Sequence, residues 1–195
     1  ARTVPFTNRD PEARTAPLSR SWKAIRGSAM TVMGDVDEAL LRRTYDDIRA
    51  FRAAMAAIIP NLRLSAPIPT RVVVLRSPGE FQRFAPRDAR GRPLVNVAGY
   101  SASEPDLHLI VLGPAGGYQA NFHEYTHYLV SINGQAYPLW LNEGFADFYS
   151  TFDREPQTGK AIIGLPLVTH QPYLVRGRLL MPLKDVVAPR QMEKV

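Results

Sequence analysis

Between residues 35 and 61 the chain reads DVDEALLRRTYDDIRAFRAAMAAIIPN, and its apolar positions recur every three or four residues. Leu41, Tyr45, Ile48, Phe51, Met55 and Ile58 form one stripe, which predicts a long amphipathic helix with that stripe on the core. Asp35, with Glu38 three residues on, has the spacing of a capping box, and Pro60-Asn61 supplies the stop. On either side the period changes. SWKAIRGSAMTVMGD (21–35) alternates and predicts a strand ending in a turn. TRVVVLR (70–76) is a β-branched run, expected as a buried strand. SPGEFQRF (77–84) offers Ser77 as cap, Pro78 at the first helical position and Glu80 three after the cap, so a short helix follows. After a loop marked by Gly91 and Pro93, VNVAGYSA (95–102) and LHLIVLG (107–113) read as a hairpin across SEPD. PAGGY then interrupts the chain before two more helical patterns.

This order predicts an α+β fold, a small mixed or antiparallel sheet packed on helices. Residues 1–20, rich in Pro, Arg and Thr, read as an extended or disordered tail. Residues 21–195 read as one domain, with a sheet-bearing part over 21–118 and a helical part over 119–195.

The chemistry concentrates in NFHEYTHYLV (121–130). On a helix, with His123 taken as zero, His127 falls at about 40° and Glu124 at about 100°, while Phe122, Tyr125 and Leu129 fall at about 200–260°. One side therefore packs into the core, and the other presents two imidazoles in reach of one ion with a carboxylate beside them. Composition alone would place such an HExxH in about 0.003 of chains like this one, so the motif needs support from elsewhere. PLWLNEGFADFYS (138–150) supplies it. Leu141, Phe145 and Phe148 are expected to form the apolar side of a second helix, and Glu143 and Asp147 share a face about 40° apart. Two acids on an otherwise aromatic helix are costly unless partnered. Glu143 is the candidate third metal ligand, with the fourth position left to water, and Asp147 is the candidate partner for the outer N–H of a ligating histidine.

Composition narrows the classes. The chain of 195 residues contains no cysteine, which excludes disulfides and thiolate sites. Its net charge of +6 is scattered rather than gathered into a recognition helix, so a solvated basic surface is expected and nucleic-acid binding is not. No apolar run is long enough to span a membrane. The first twenty residues lack the apolar core of a signal peptide.

HEYTH followed by LWLNEGFAD resembles the gluzincin metallopeptidases, closest to the bacterial peptidase MA-like domains and similar to the aminopeptidase N-like and thermolysin-like families. The resemblance is strongest over 119–150. It implies a zincin-like fold and a zinc-dependent peptidase acting on a peptide or protein, with one Zn2+ on His123, His127 and Glu143, Glu124 as general base and Asp147 supporting a histidine ligand. NVAGYSA carries no GxMEN-like anchor for a substrate amino terminus, so the expectation is an endopeptidase. In zincins an edge strand above the metal pairs with extended substrate, and Leu107 to Leu112 is the expected strand. His108 within it reads as a half-buried residue rather than a ligand. An oxyanion donor is expected downstream, with Tyr173 preferred over His170 and Tyr149, and Arg176 or Arg178 available for a substrate carboxylate. The resemblance also favours a bacterial secreted or periplasmic setting. Two other readings stand beside this one: a catalytically inactive zincin-like domain that binds a peptide or partner, and a basic interaction module whose motif is accidental.

Overall fold

The computed structural model describes residues 22–94, 97–168, 170–176, 182 and 184–185; the expected tail over 1–20 lies outside them. Two short strands open the fold, β1 (Lys23–Arg26) and β2 (Met30–Gly34), antiparallel to one another. The single strand expected over 21–35 is thus two strands. Gly27 donates to the Met30 carbonyl at 3.0 Å and closes a turn that the alternating pattern runs straight through.

Helix α1 (Glu38–Ile58) follows, then β3 (Thr70–Val74) and α2 (Pro78–Phe84). Leu41, Ile48, Phe51 and Met55 of the α1 stripe are buried, whereas Ile58, in the last turn, is half exposed. The cap differs from expectation. Asp37 occupies the N-cap without a side-chain hydrogen bond, and Asp35 instead meets Arg76, whose Nε donates to the Asp35 carbonyl at 2.7 Å. At α2 the capping box forms as read: the Glu80 N–H donates to Ser77 Oγ and the Ser77 N–H to Glu80 Oε2, both at 3.2 Å.

Strands β4 (Gly99–Glu104) and β5 (Leu107–Leu112) make the expected hairpin, turning in two residues, Pro105 and Asp106, so that Ser103 and Glu104 lie in strand. The five-stranded sheet has the order β1-β2-β3-β5-β4, parallel at β2–β3 and β3–β5 and antiparallel at both margins. A mixed sheet with helices completes an α+β fold.

The pleat sorts the strand residues between two cores. Val32, Val72, Val74, Ile110 and Leu112 join the large cluster with α1 and the next helix, α3 (Gly117–Ile132). On the other face, Val111 packs with Leu75, Phe81 and Ala85 around α2. The large core is sealed by three rings. Phe51 and Phe122 centroids stand 5.0 Å apart, and Phe152 lies 5.4 Å from the first and 5.0 Å from the second. After α3 come α4 (Leu139–Ser150), a two-stranded hairpin of β6 (Asp153–Arg154) with β7 (Ala161–Ile162), and α5 (Gln171–Arg176). The part beyond 119, read as helical, therefore carries a small hairpin as well.

Candidate metal centre

Helix α3 begins where glycine permits it, with Gly117 at φ 55°, a left-handed conformation that side-chain-bearing residues resist. From there the helix is pinned by its apolar face. Phe122, Tyr125 and Leu129 are buried as their phase predicts. The Tyr125 hydroxyl accepts from Arg52, and the Tyr128 hydroxyl accepts from the Ala66 N–H at 3.1 Å. At its end Asn133 donates to the Leu129 carbonyl at 2.8 Å and accepts from the Arg63 N–H at 2.9 Å. A helix fixed this firmly on one side fixes what the other side presents.

That other side carries His123 and His127, with Nε2 atoms 3.2 Å apart. Helix α4 brings Glu143 against both: its Oε2 lies 3.4 Å from His123 Nε2 and 3.6 Å from His127 Nε2. A tetrahedral ion held at about 2.0–2.1 Å separates its ligand atoms by about 3.3–3.4 Å, and these three edges bracket that value. The three side chains could therefore hold one metal ion. Asp147 Oδ1 stands 3.2 Å from His123 Nδ1, where it accepts the N–H that leaves Nε2 free for a cation.

α4 reaches α3 differently from expectation. The face turned to the core carries the small residues Ala146 and Ser150, both buried, beside Glu143 and Asp147. Leu141 and Phe145 are only partly covered and Phe148 is half exposed, so the apolar side lies away from α3. The buried side of α4 is thus its small-residue side, and it is on this side that the carboxylates meet the imidazoles.

The electrostatics follow from this packing. Burial disfavours charge on His123, but the Asp147 and Glu143 carboxylates outweigh it and raise the imidazole to about 10. The same histidines hold Glu143 down at about 2. Glu124, 8% exposed, is pushed the other way by burial, against the pull of the two histidines. Its carboxyl lies under β4, where a β-carbon built on Gly99 would stand 3.0 Å from Glu124 Cγ.

β4 is also where an extended chain could add. β5 is hydrogen-bonded to β3 on one side and β4 on the other, so the expected substrate strand Leu107 to Leu112 has no free edge over Leu109 to Leu112. The margin on this side of the sheet belongs to β4, and the opposite one to β1. The Gly113 N–H donates to the Ala98 carbonyl at 2.9 Å, which fixes the ladder's phase. Tyr100, Ala102 and Glu104 turn their backbone groups to β5, and Gly99, Ser101 and Ser103 turn theirs outward.

No protein-family model matches the chain, and no curated protein matches it. The site is then known by its geometry.

Around the three-residue centre the other candidates fall variously. His170 Nδ1 lies 3.7 Å from Asp147 Oδ2, so one carboxylate faces two histidines. Tyr173 is on α5, but its side chain, that of Arg176 and all of Arg178 lie outside the described residues. Tyr149 packs against Phe148, centroids 5.2 Å apart. His108 packs its ring on Tyr128 at 5.4 Å, away from the ligands. Two atoms went unnoticed in the sequence. His127 Nδ1 and Asn142 Oδ1 are both buried without a partner among the described residues, one a donor in the tautomer that frees Nε2, the other an acceptor. Only adjacency to Glu143 could have singled out Asn142.

Proposed function

We propose that the chain is a zinc-dependent peptidase of the gluzincin type, holding one zinc ion on His123, His127 and Glu143 and cutting within extended peptides. The observation that carries the reading is the near-tetrahedral triangle of ligand atoms with a buried carboxylate, Glu124, between it and the free margin of β4. A structural metal would have no use for that carboxylate. When bound, zinc would polarise the scissile carbonyl and lower the pKa of water towards ~7.

The chain's own groups do the rest. Gly99, Ser101 and Ser103 pair with the substrate backbone along the margin of β4 and hold it extended beside the ligands. Glu124 takes a proton from the attacking water and delivers it to the departing amine. Its burial suits the task, because desolvation raises a carboxylate's affinity for the proton it must carry. In its imidazolium form, with the Nδ1–H turned to Asp147, His170 would donate its Nε2–H to the oxygen that gains charge.

The test is metal analysis with digestion of a peptide library by wild type and Glu124→Gln. Stoichiometric zinc in both, with cleavage falling about 10²–10⁴-fold in the variant, is the expected result. Zinc without cleavage by the wild type would replace the peptidase with a domain that captures peptides on β4. Undiminished cleavage by Glu124→Gln would remove Glu124 from the mechanism.

A further inference from the structure

We propose that Gly99 is a positioning residue: its missing side chain fixes the carboxylate of Glu124. The inference rests on the reading of Glu124 as the base. Gly99 pairs with Leu112 and faces α3 from the sheet, as do Ser101 and Ser103 further along β4. Those two positions have room for a side chain, and both are only partly buried. Position 99 does not. A β-carbon there would lie 3.0 Å from Glu124 Cγ, 3.4 Å from Glu124 Oε1 and 3.0 Å from the Val111 carbonyl oxygen.

Backbone conformation does not demand the glycine, since Gly99 lies outside the left-handed region that Gly91, Gly117, Gly134, Gly159 and Gly164 occupy. What it supplies is space. Here the sheet runs against the polar side of α3, and the Glu124 side chain is confined between the strand and its own helix with 8% of its surface exposed. A carboxylate on a two-carbon stem would otherwise have several rotamers open to it, and one held in place has already lost that freedom before substrate arrives. Adding a β-carbon shifts the carboxylate by a few tenths of an ångström. Its nearest neighbours include no atom of the three candidate ligands, and the outward N–H and C=O of residue 99 are kept.

Gly99→Ala should therefore separate quantities that a general loosening would move together. Zinc content stays stoichiometric, KM stays within about twofold because backbone pairing is intact, and kcat falls about 10–100-fold, the scale of a misplaced catalytic group. Gly79→Ala, at a site where a β-carbon meets nothing within 4 Å, is the control and leaves all three unchanged. A second readout needs no activity. The drop in Tm caused by Gly99→Ala is measured again in a Glu124→Ala background, where Cγ and the carboxylate are gone. The contact with Glu124 predicts less than half the drop there. Should Gly99→Ala fail to fold, folding of the double variant supports the proposal.

An unchanged kcat, a loss carried by KM, equal Tm drops in both backgrounds, or failure of single and double variants alike overturns it and leaves the Val111 carbonyl as the reason for glycine. If the wild type cleaves nothing, the peptidase reading falls, and the two Tm drops still decide the contact.

Discussion

Replacing Asp147 by alanine should weaken metal binding without weakening the fold. The carboxylate accepts from His123 Nδ1 at 3.2 Å, with 37% of its side chain exposed. A pair that open to water contributes about 0–1 kcal/mol to folding. Its hold on the imidazole is worth more to a cation. It selects the tautomer with Nε2 free and fixes the ring plane, and losing such a partner lowers metal affinity by about 10–100-fold. That is about 1.4–2.8 kcal/mol of binding. At a fixed excess of zinc the loss appears in the stability of the loaded protein by linkage. For a chain of this size it corresponds to a Tm lower by about 3–11 °C. The metal-free protein should melt nearly where the metal-free wild type does. Competition against a chromophoric chelator reads the affinity, and melting scans with and without zinc read the two stabilities. Asp147→Asn, which keeps an acceptor oxygen but not the charge, should fall between. If the metal-free variant loses as much as the loaded one, or if affinity is unchanged, then Asp147 serves the fold or nothing, and its role at His123 is wrong.

The remaining expectations concern the margin of the sheet, pH and the donor. Ser101→Pro deletes an N–H that points outward, so the fold should survive while KM rises. Ala102→Pro deletes one that pairs with β5 and should unfold the hairpin; equal effects on melting would reject the ladder's phase. In the metal-free protein, His123 is raised to about 10 from 6.5, so its contribution is whole below about 6.5 and lost as pH rises through 10. Glu143 is lowered to about 2 from 4.5, so its contribution is whole above about 4.5 and lost as pH falls through 2. The two windows overlap near pH 4.5–6.5, and the raised Glu124 tilts the maximum to the acid end of that range. Zinc competes with protons for the histidines and should move the maximum of Tm to higher pH; an unmoved maximum counts against metal on these side chains. His170→Ala should lower kcat about 10²–10³-fold with zinc retained, and a smaller loss returns the donor's role to α5.

The candidate metal-binding face was legible because it is local. His123, Glu124 and His127 lie on one turn of one helix, and the phase of Phe122, Tyr125 and Leu129 against them says which side the core takes. α4 was harder. Period identifies its two faces but not which one is covered, and here the buried residues are the small Ala146 and Ser150, on the side of the two carboxylates. Strand order was beyond reach for a different reason. Leu107 to Leu112 has the more apolar sequence of the hairpin because it is interior, paired on both sides, and the strand with the free margin reads as the weaker one. The misread cap at Asp35 is a competition between neighbours: the Arg76 side chain, forty-one residues away, takes what the helix end would have used. His170 meets Asp147 from twenty-three residues on, a distance no periodicity spans.

The three candidate ligands lie within twenty-one residues of one another, on two successive helices. Closing the loop between His127 and Glu143 costs little chain entropy. Glu124 needs more, since the strand that confines it pairs with β5, and β5 in turn with β3 from the first half of the chain. The proposed ion and the proposed base therefore rest on different reaches of chain, the first on two successive helices and the second on a strand pairing that extends to the first half of the sequence. On that reading, a substitution that loosens β4 from β5 would leave the protein loaded with zinc yet idle.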